Sequence, residues 1–137
     1  MKLNEAVFRV AAIQLSPVLF DRDATTDKVV KIIERCSQED VRLAVFPETV
    51  IPNYPYFAMI NPPIMIGEAF EKLGDNAVEV PGPVTATVSA AARKSGTVVV
   101  LGVNERDGGS LYNTQLIFDA DGTLAGKRRK IMPTILM

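Results

Sequence analysis

The chain has 137 residues, the length of one domain or of part of one, and its 47% hydrophobic and 23% charged content is ordinary for a globular protein. Fifteen basic and sixteen acidic side chains give a net charge of −1, so no overall field favours nucleic acid or an anionic membrane. The absence of histidine excludes histidine-dependent triads and imidazole metal sites within these residues, and the single cysteine excludes an internal disulfide framework and favours a cytoplasmic location.

The first elements in chain order are a strand, a helix and a strand. Residues 7–15 predict a buried strand, and nothing before them has the apolar core of a signal peptide. Asp23 is predicted to cap a helix, and an apolar stripe follows at helical spacing: Val29, Ile32, Ile33 and Cys36. Residues 41–46 predict a second strand, parallel to the first because a helix separates the two. No stretch of the chain reaches the ~18 consecutive apolar residues of a membrane-spanning helix.

The middle of the chain predicts a loop, two helices and a central strand. Residues 49–63 contain four prolines and predict a long loop, followed by a helical segment over about 64–73. Pro83 is typical of the first turn of a helix, and Gly96 is typical of the residue that ends one. Residues 97–103 are apolar and β-branched, which favours a buried strand.

The last third predicts a meander of strands. Residues 111–118 and 123–129 have the pattern of two strands, and Asp121-Gly122 between them is a hairpin turn signal. Gly108-Gly109 predicts a turn rather than a phosphate-binding loop, because no helix follows it. The whole order is β-α-β-(α)-α-β-β-β, an α/β layer arrangement.

Two charged features are candidates for function. Glu48 follows an apolar strand directly, where α/β proteins tend to place their chemistry, although a single carboxylate there is more often a cap or a surface acid. Lys130 ends the basic run at residues 127–130, which invites a nucleic-acid hypothesis. Strand alternation sends residues 127 and 129 to one face and 128 and 130 to the other, so the run forms no single patch and nucleic-acid binding is not expected.

Four motifs in register carry a family resemblance. They are Phe46-Pro47-Glu48-Thr49, Gly102-Val103-Asn104-Glu105-Arg106, Leu111-Tyr112-Asn113-Thr114 with Phe118-Asp119-Ala120-Asp121-Gly122, and the run ending at Lys130 with Ile131-Met132-Pro133-Thr134. In this order and spacing the chain resembles the amino-terminal half of the nitrilase branch of the carbon–nitrogen hydrolase superfamily, over residues 7–134. Tyr54-Pro55-Tyr56-Phe57 favours nitrilases over their amidase relatives.

The resemblance implies an α/β fold, the first half of the α-β-β-α sandwich of the nitrilase superfamily, with residues 1–137 as the amino-terminal part of one domain. It also implies hydrolysis of a small-molecule nitrile or amide by a Glu-Lys-Cys triad without cofactor or metal. Glu48 matches the triad glutamate, a general base whose pKa partial burial is expected to raise, and Lys130 matches the lysine that stabilises developing negative charge. Tyr54 is predicted to contact substrate, and Asn113 to bond backbone near the site.

The nucleophile is where the chain departs from the pattern. In enzymes that this chain resembles, the cysteine follows the lysine by some tens of residues, and here seven residues follow Lys130. Cys36 completes an apolar helical stripe and is expected to be an inert core residue. The chain alone is therefore expected to be inactive, truncated before its nucleophile. A non-catalytic interaction or structural module and an amidase are the alternatives, and the expected protein partners are further copies of the chain or a complementing second half of the domain.

Overall fold

A five-stranded sheet with the strand order β1-β2-β3-β4-β5 forms the centre of the computed structural model, which describes residues 7–132. The strands are, in chain order, Arg9–Ala12, Val41–Val45, Val98–Asp107, Ser110–Phe118 and Leu124–Arg129. β1, β2 and β3 run parallel, whereas β4 and β5 are added antiparallel. The predicted α/β class and the predicted parallel pairing of the first two strands are confirmed.

Two long helices cover one face of this sheet. The helices are α1 (Arg22–Gln38), α2 (Phe57–Ile60), α3 (Gly67–Asp75) and α4 (Pro83–Ser95), with a short 3-10 turn at Pro63–Met65. The apolar stripes of α1 and α4 pack on the inward side chains of the central strands, and fully buried members of this core include Val29, Ile33, Val88, Leu101 and Phe118. Burial of one apolar face of each element against the other is what holds this layer together.

The ends of the helices test the predicted caps. Pro83 begins α4 and Gly96 ends it in the left-handed conformation at φ 63°, as predicted. The predicted cap of α1 is wrong. The carboxylate of Asp21, not that of Asp23, accepts the backbone N–H of Ala24 at 2.8 Å, and Asp23 lies in the first turn of the helix.

Several predicted boundaries also differ. β1 is shorter than residues 7–15, and the predicted loop at residues 49–63 contains the single turn α2. The predicted helix over about 64–73 is α3, which begins three residues later and ends two residues later. β3 continues four residues beyond 103, because its polar residues Asn104 and Glu105 are buried and hydrogen-bonded inside the fold. The part of the tail at residues 133–137 lies outside the described residues.

The sheet face opposite α1 and α4, called the open face here, carries both apolar and polar rows. One row crosses all five strands in register: Ala12, Val45, Val100, Ile117 and Gly126. A polar row lies on the same face nearer the β3–β4 turn, formed by Asn104, Asn113 and Lys130. Since cross-strand partners share a face, this register determines which charged side chains can meet there.

Candidate active site

The chain reaches Glu48 by crossing directly over a glycine of the neighbouring strand. After β2 ends, the N–H of Phe46 still donates to the carbonyl of Val100 at 2.8 Å. The next residues then pass so close to β3 that a Cβ at Gly102 would lie 2.3 Å from the Pro47 carbonyl oxygen and 2.5 Å from the Thr49 nitrogen. Only glycine leaves room for this crossing, so Gly102 helps to position the Glu48 backbone.

Thr49 shows that the backbone beside Glu48 is strained. Its φ is 41°, in the left-handed region that a β-branched residue rarely adopts. Its side chain is fully buried, and its Oγ1 has no hydrogen-bond partner among the described residues. A strained, buried residue directly after Glu48 leaves the position of that carboxylate little freedom.

Glu48 and Lys130, which are 82 positions apart in sequence, form an ion pair. Lys130 Nζ donates to Glu48 Oε1 at 2.8 Å, and the side-chain amide of Asn113 donates to the same oxygen. The N–H of Lys130 also donates to the carbonyl of Asn113 at 2.8 Å, which continues the β4–β5 ladder past Arg129. The expectation that Asn113 bonds backbone near the site missed this contact of its side chain with the carboxylate.

The ion pair also sets the protonation of both groups. The hydrogen bond from Lys130, followed by that from Asn113, lowers the pKa of Glu48 although partial burial acts in the opposite direction. The expectation of a raised glutamate pKa is therefore wrong for this arrangement, because the ammonium outweighs desolvation. The hydrogen bond to Glu48 raises the pKa of Lys130. At neutral pH the site holds an ionised carboxylate, which can accept a proton, and a fixed positive charge.

Glu48, Asn113 and Lys130 together line a cavity of about 290 Å³. Two larger and more apolar cavities each adjoin one member of the pair. One, of about 540 Å³, is lined by Glu48 together with Tyr54, Tyr56 and Met59. The rings of Tyr54 and Tyr56 lie 4.6 Å apart, between centroids. A second cavity, of about 330 Å³, lies between α3 and the β3–β4 hairpin and has Lys130 in its wall. The structure thus brings Glu48, Lys130 and Tyr54 together around apolar space, which is the usual form of a small-molecule site.

Cys36 lies elsewhere. It is 5% exposed within the core between α1 and the sheet, and burial raises the pKa of its thiol. It belongs to a different cavity from Glu48 and Lys130. Both the burial and the raised pKa oppose formation of a reactive thiolate. Within residues 7–132 no three acidic or cysteine side chains are grouped as metal ligands, and none of the helices there is long and apolar enough to cross a membrane.

Comparison with known proteins identifies the family. The sequence model of the family described as "Carbon-nitrogen hydrolase" matches residues 9–135, almost the whole chain. The chain belongs to the carbon–nitrogen hydrolase family. Within that family, Nitrilase 3 of an unknown prokaryotic organism is 56% identical over 93% of the chain and 39% of its own length. A nitrilase of Paraburkholderia phymatum is 51% identical over 96% of the chain and 38% of its own length, so the chain spans about two-fifths of these relatives.

Solved structures of carbon–nitrogen hydrolases share the fold. The carbon–nitrogen hydrolase of Helicobacter pylori superposes with a TM-score of 0.62 at 25% identity, covering 91% of the chain and 40% of that protein. Nit3 of Saccharomyces cerevisiae, a member of the nitrilase superfamily, gives a TM-score of 0.64 at 27% identity over 91% of the chain and 44% of that protein. The five-stranded sheet with its helical layer is therefore part of a nitrilase-superfamily fold.

Two features that support the candidate site were not predicted to do so. Gly102 was predicted only as a strand residue, although a glycine inside a β-branched strand is itself a signal of close backbone approach. Glu105 was named only as a member of a motif and was given no role, yet it is 1% exposed and binds Lys127, Thr114 and Arg129 on the helix side of the sheet. The sequence does carry a signal for it, because a buried carboxylate requires cationic partners and the basic run supplies them.

Proposed function

We propose that this chain forms the Glu-Lys part of a nitrilase active site that hydrolyses a nitrile to a carboxylic acid and ammonia. The observation that carries the proposal is the 2.8 Å contact of Glu48 with Lys130 at the wall of apolar cavities. The names of the similar proteins, among them an aliphatic nitrilase of Rhodococcus rhodochrous 43% identical over 93% of the chain and 35% of its own length, favour a nitrile over an amide as substrate.

In the proposed mechanism Glu48 accepts the proton of a cysteine thiol, and the thiolate adds to the nitrile carbon. The ammonium of Lys130 stabilises the negative charge that develops on nitrogen. The resulting thioimidate takes up water, and the tetrahedral intermediate expels ammonia to leave a thioester. A second water molecule then releases the carboxylic acid and the thiol. Tyr54 would contact the substrate in the cavity beside Glu48.

The thiol in this mechanism does not come from Cys36, which is buried in the helix–sheet core. We propose that the nucleophile lies in sequence outside these 137 residues and that the chain alone releases no ammonia. Completion of the domain by that further sequence, and association of copies, are the proposed partner relations. Exposed apolar side chains support association, among them Ile60 and Ile64 at 79% and 93% exposure. The single unpaired cysteine supports a cytoplasmic location.

The test is the release of ammonia and acid from an aliphatic nitrile by the full-length natural protein. Glu48→Gln and Lys130→Met are each expected to reduce kcat/KM by roughly 10²–10⁴-fold, the range lost when a general base or a charge stabiliser is removed. Lys94→Met removes a lysine from a surface ion pair with Glu34 and is the matched control, expected to stay within about twofold.

Three further outcomes separate the alternatives. Cys36→Ala is expected to leave activity unchanged, and a loss equal to that of Glu48→Gln would make Cys36 the nucleophile. Amide as the main product would favour hydration over full hydrolysis. Activity on neither nitriles nor amides would favour the non-catalytic alternative.

A further inference from the structure

A buried carboxylate on the helix side of the sheet binds the strand that ends at Lys130. Glu105 on β3 is 1% exposed and accepts from Lys127 Nζ at 2.6 Å and from the guanidinium of Arg129 at 2.8 and 3.0 Å. The hydroxyl of Thr114 donates to it at 2.7 Å. Arg129 also donates to Asp107 at 2.6 Å and lies over the ring of Tyr112, 3.7 Å from the centroid. We call these residues the Glu105 cluster.

The Glu105 cluster binds two residues of the basic run, and the candidate site binds a third. Lys127 and Arg129 point to the helix side, where Glu105 receives both. Lys130 points to the open face, where Glu48 receives it. Strand alternation places adjacent cations on opposite faces of the sheet, and each of the two carboxylates binds cations on its own face.

The apolar pattern of β5 does little to fix this arrangement. The strand begins Leu124-Ala125-Gly126, and Leu124 remains 37% exposed. A one-residue slip of a strand exchanges the faces of all its side chains. In a run of four cations such a slip would present Arg129 in place of Lys130 to Glu48 without changing the local charge.

The hairpin turn sets the register where β5 starts, because the N–H of Asp119 donates to the carbonyl of Thr123 at 2.8 Å. A bulge lies between Ile117 and Phe118, so the far end of the strand needs a second determinant that distinguishes residue 129 from its neighbours.

We propose that Glu105 is a positioning residue that fixes the register of β5 and thereby delivers Lys130, rather than another base of the run, to Glu48. The fork of Arg129 and the two oxygens of Glu105 match in geometry, which a lysine at the same point would not reproduce. A buried carboxylate left without this partner is costly, so slipped registers are disfavoured. The functional meaning of Lys130 here rests on the proposed nitrilase mechanism.

The experiment measures the reactivity of individual lysines in the full-length natural protein. A limiting dose of an amine-acylating reagent is applied over a range of pH, and the modified fraction of each lysine is read by mass spectrometry. The contact with Glu48 protects Lys130 and keeps it protonated. The labelling of Lys130 thus reports this contact without requiring turnover.

In Glu105→Gln the labelling of Lys130 near pH 8 is expected to rise about threefold or more, since the unprotonated fraction of an amine changes tenfold for each unit of pKa. The labelling of Lys127 is expected to rise as well, because it loses Glu105 directly. Glu105→Asp keeps the charge and is expected to restore part of the protection of Lys130.

The matched control is Glu34→Gln, which removes the carboxylate of the Lys94–Glu34 pair on the helices. It is expected to raise the labelling of Lys94 and to leave Lys130 unchanged. A general loosening of the fold would instead raise Lys94 and Lys130 together in Glu105→Gln. That pattern, or unchanged labelling of Lys130 beside increased labelling of Lys127, would overturn the proposal.

Arg129→Lys tests the same contact from the other side if Glu105→Gln does not fold. It keeps a cation at residue 129, and Lys127 stays on Glu105, but the fork of the guanidinium is removed. An increase in Lys130 labelling is again expected, whereas no increase would overturn the proposal. The outcomes also distinguish failure of the proposed nitrilase function from failure of the proposed positioning role of Glu105. A wild-type protein without hydrolytic activity refutes the proposed function while the labelling result still decides the role of Glu105.

Discussion

At the scale of single residues, two carboxylates with similar partners have different physical roles. The side chain of Glu48 is 46% exposed, so its pair with Lys130 contributes little to stability and leaves the carboxylate accessible for chemistry. Glu105 is 1% exposed, and its partners lower its pKa to about 2 although burial opposes this. Its charge is therefore a part of the folded structure rather than a reactive group.

This difference predicts how stability depends on pH. Because the pKa of Glu105 is lower in the folded chain than the ordinary value of about 4.3, its ionised form stabilises the fold above that value. The contribution, roughly 3 kcal/mol from the shift, is lost as the pH falls through about 2. Thermal unfolding between pH 2 and 7 should show a large difference between wild type and Glu105→Gln at pH 7 that narrows towards pH 2.

The exposed pair of Lys94 with Glu34 is the comparison for this experiment. Glu34→Gln removes a carboxylate whose side chain is 42% exposed, and the melting temperature should then follow the wild-type pH dependence closely. A difference in melting temperature between wild type and Glu105→Gln that stays constant across this range would contradict the prediction. It would mean that the ionisation of Glu105 contributes nothing to stability and that only the shape of its side chain does.

At the scale of elements, the contact between β2 and β3 depends on Gly102. In Gly102→Ala the new methyl group would lie 2.9 Å or less from three backbone atoms of residues 47–49, and backbone cannot move aside as a flexible side chain can. We expect a loss of about 1–3 kcal/mol or more in the free energy of unfolding. Because the displaced segment carries Glu48, the proposed hydrolytic activity of the full-length protein should fall together with the melting temperature.

Gly74 provides the same substitution without the contact. It lies in α3, and a Cβ there has no neighbouring atom within 4 Å. Gly74→Ala is therefore expected to raise stability by about 0.5–1 kcal/mol through helix propensity, with activity unchanged. If both alanines had the same effect, the close approach at Gly102 would not be the cause.

The elements themselves also show what sequence patterns can predict. The spacing of apolar residues and the positions of proline and glycine predicted the α/β class, both long helices, the parallel pairing of the first two strands and the final hairpin. These features were predictable because apolar burial and turn chemistry act locally. The extension of β3 through Asn104 and Glu105 was not predictable from polarity, since these residues are buried by partners distant in sequence. Asp21 rather than Asp23 caps α1 because the helix begins directly after Asp21. The sequence does not show where the helix begins, since both positions carry the same carboxylate.

The charged pair of the candidate site could be predicted from the sequence, whereas the contacts that surround the pair could not. Glu48 and Lys130 follow from motifs in the family pattern, and the structure brings them within 2.8 Å. The hydrogen bond from the side chain of Asn113 and the low pKa of Glu48 depend on distances between strands. No pattern along the chain reports those distances. The catalytic roles of Glu48, Lys130 and Tyr54 stay predictions, to be tested by activity measurements on their variants.

At the scale of the whole molecule, the site and an apolar surface share the open face. α1 and α4 cover the other side, whereas Val45 and Ile117 in the apolar row remain 38% and 36% exposed. The relatives that the chain matches are more than twice its length, and a contiguous apolar sheet face is a surface that proteins normally cover. We therefore expect that what covers this row also closes the cavities beside Glu48.

This expectation predicts the behaviour of the 137-residue chain by itself. With the open face uncovered it should self-associate as its concentration rises and should bind a dye that recognises exposed apolar surface. Ile117→Lys places a charge at the centre of the apolar row and should reduce both effects in light scattering and dye fluorescence. Val18→Lys is the control, because Val18 is 39% exposed but lies in the loop before α1. A wild-type chain that stays monomeric, or an equal effect of both lysines, would show that the open face is not the surface that requires a cover.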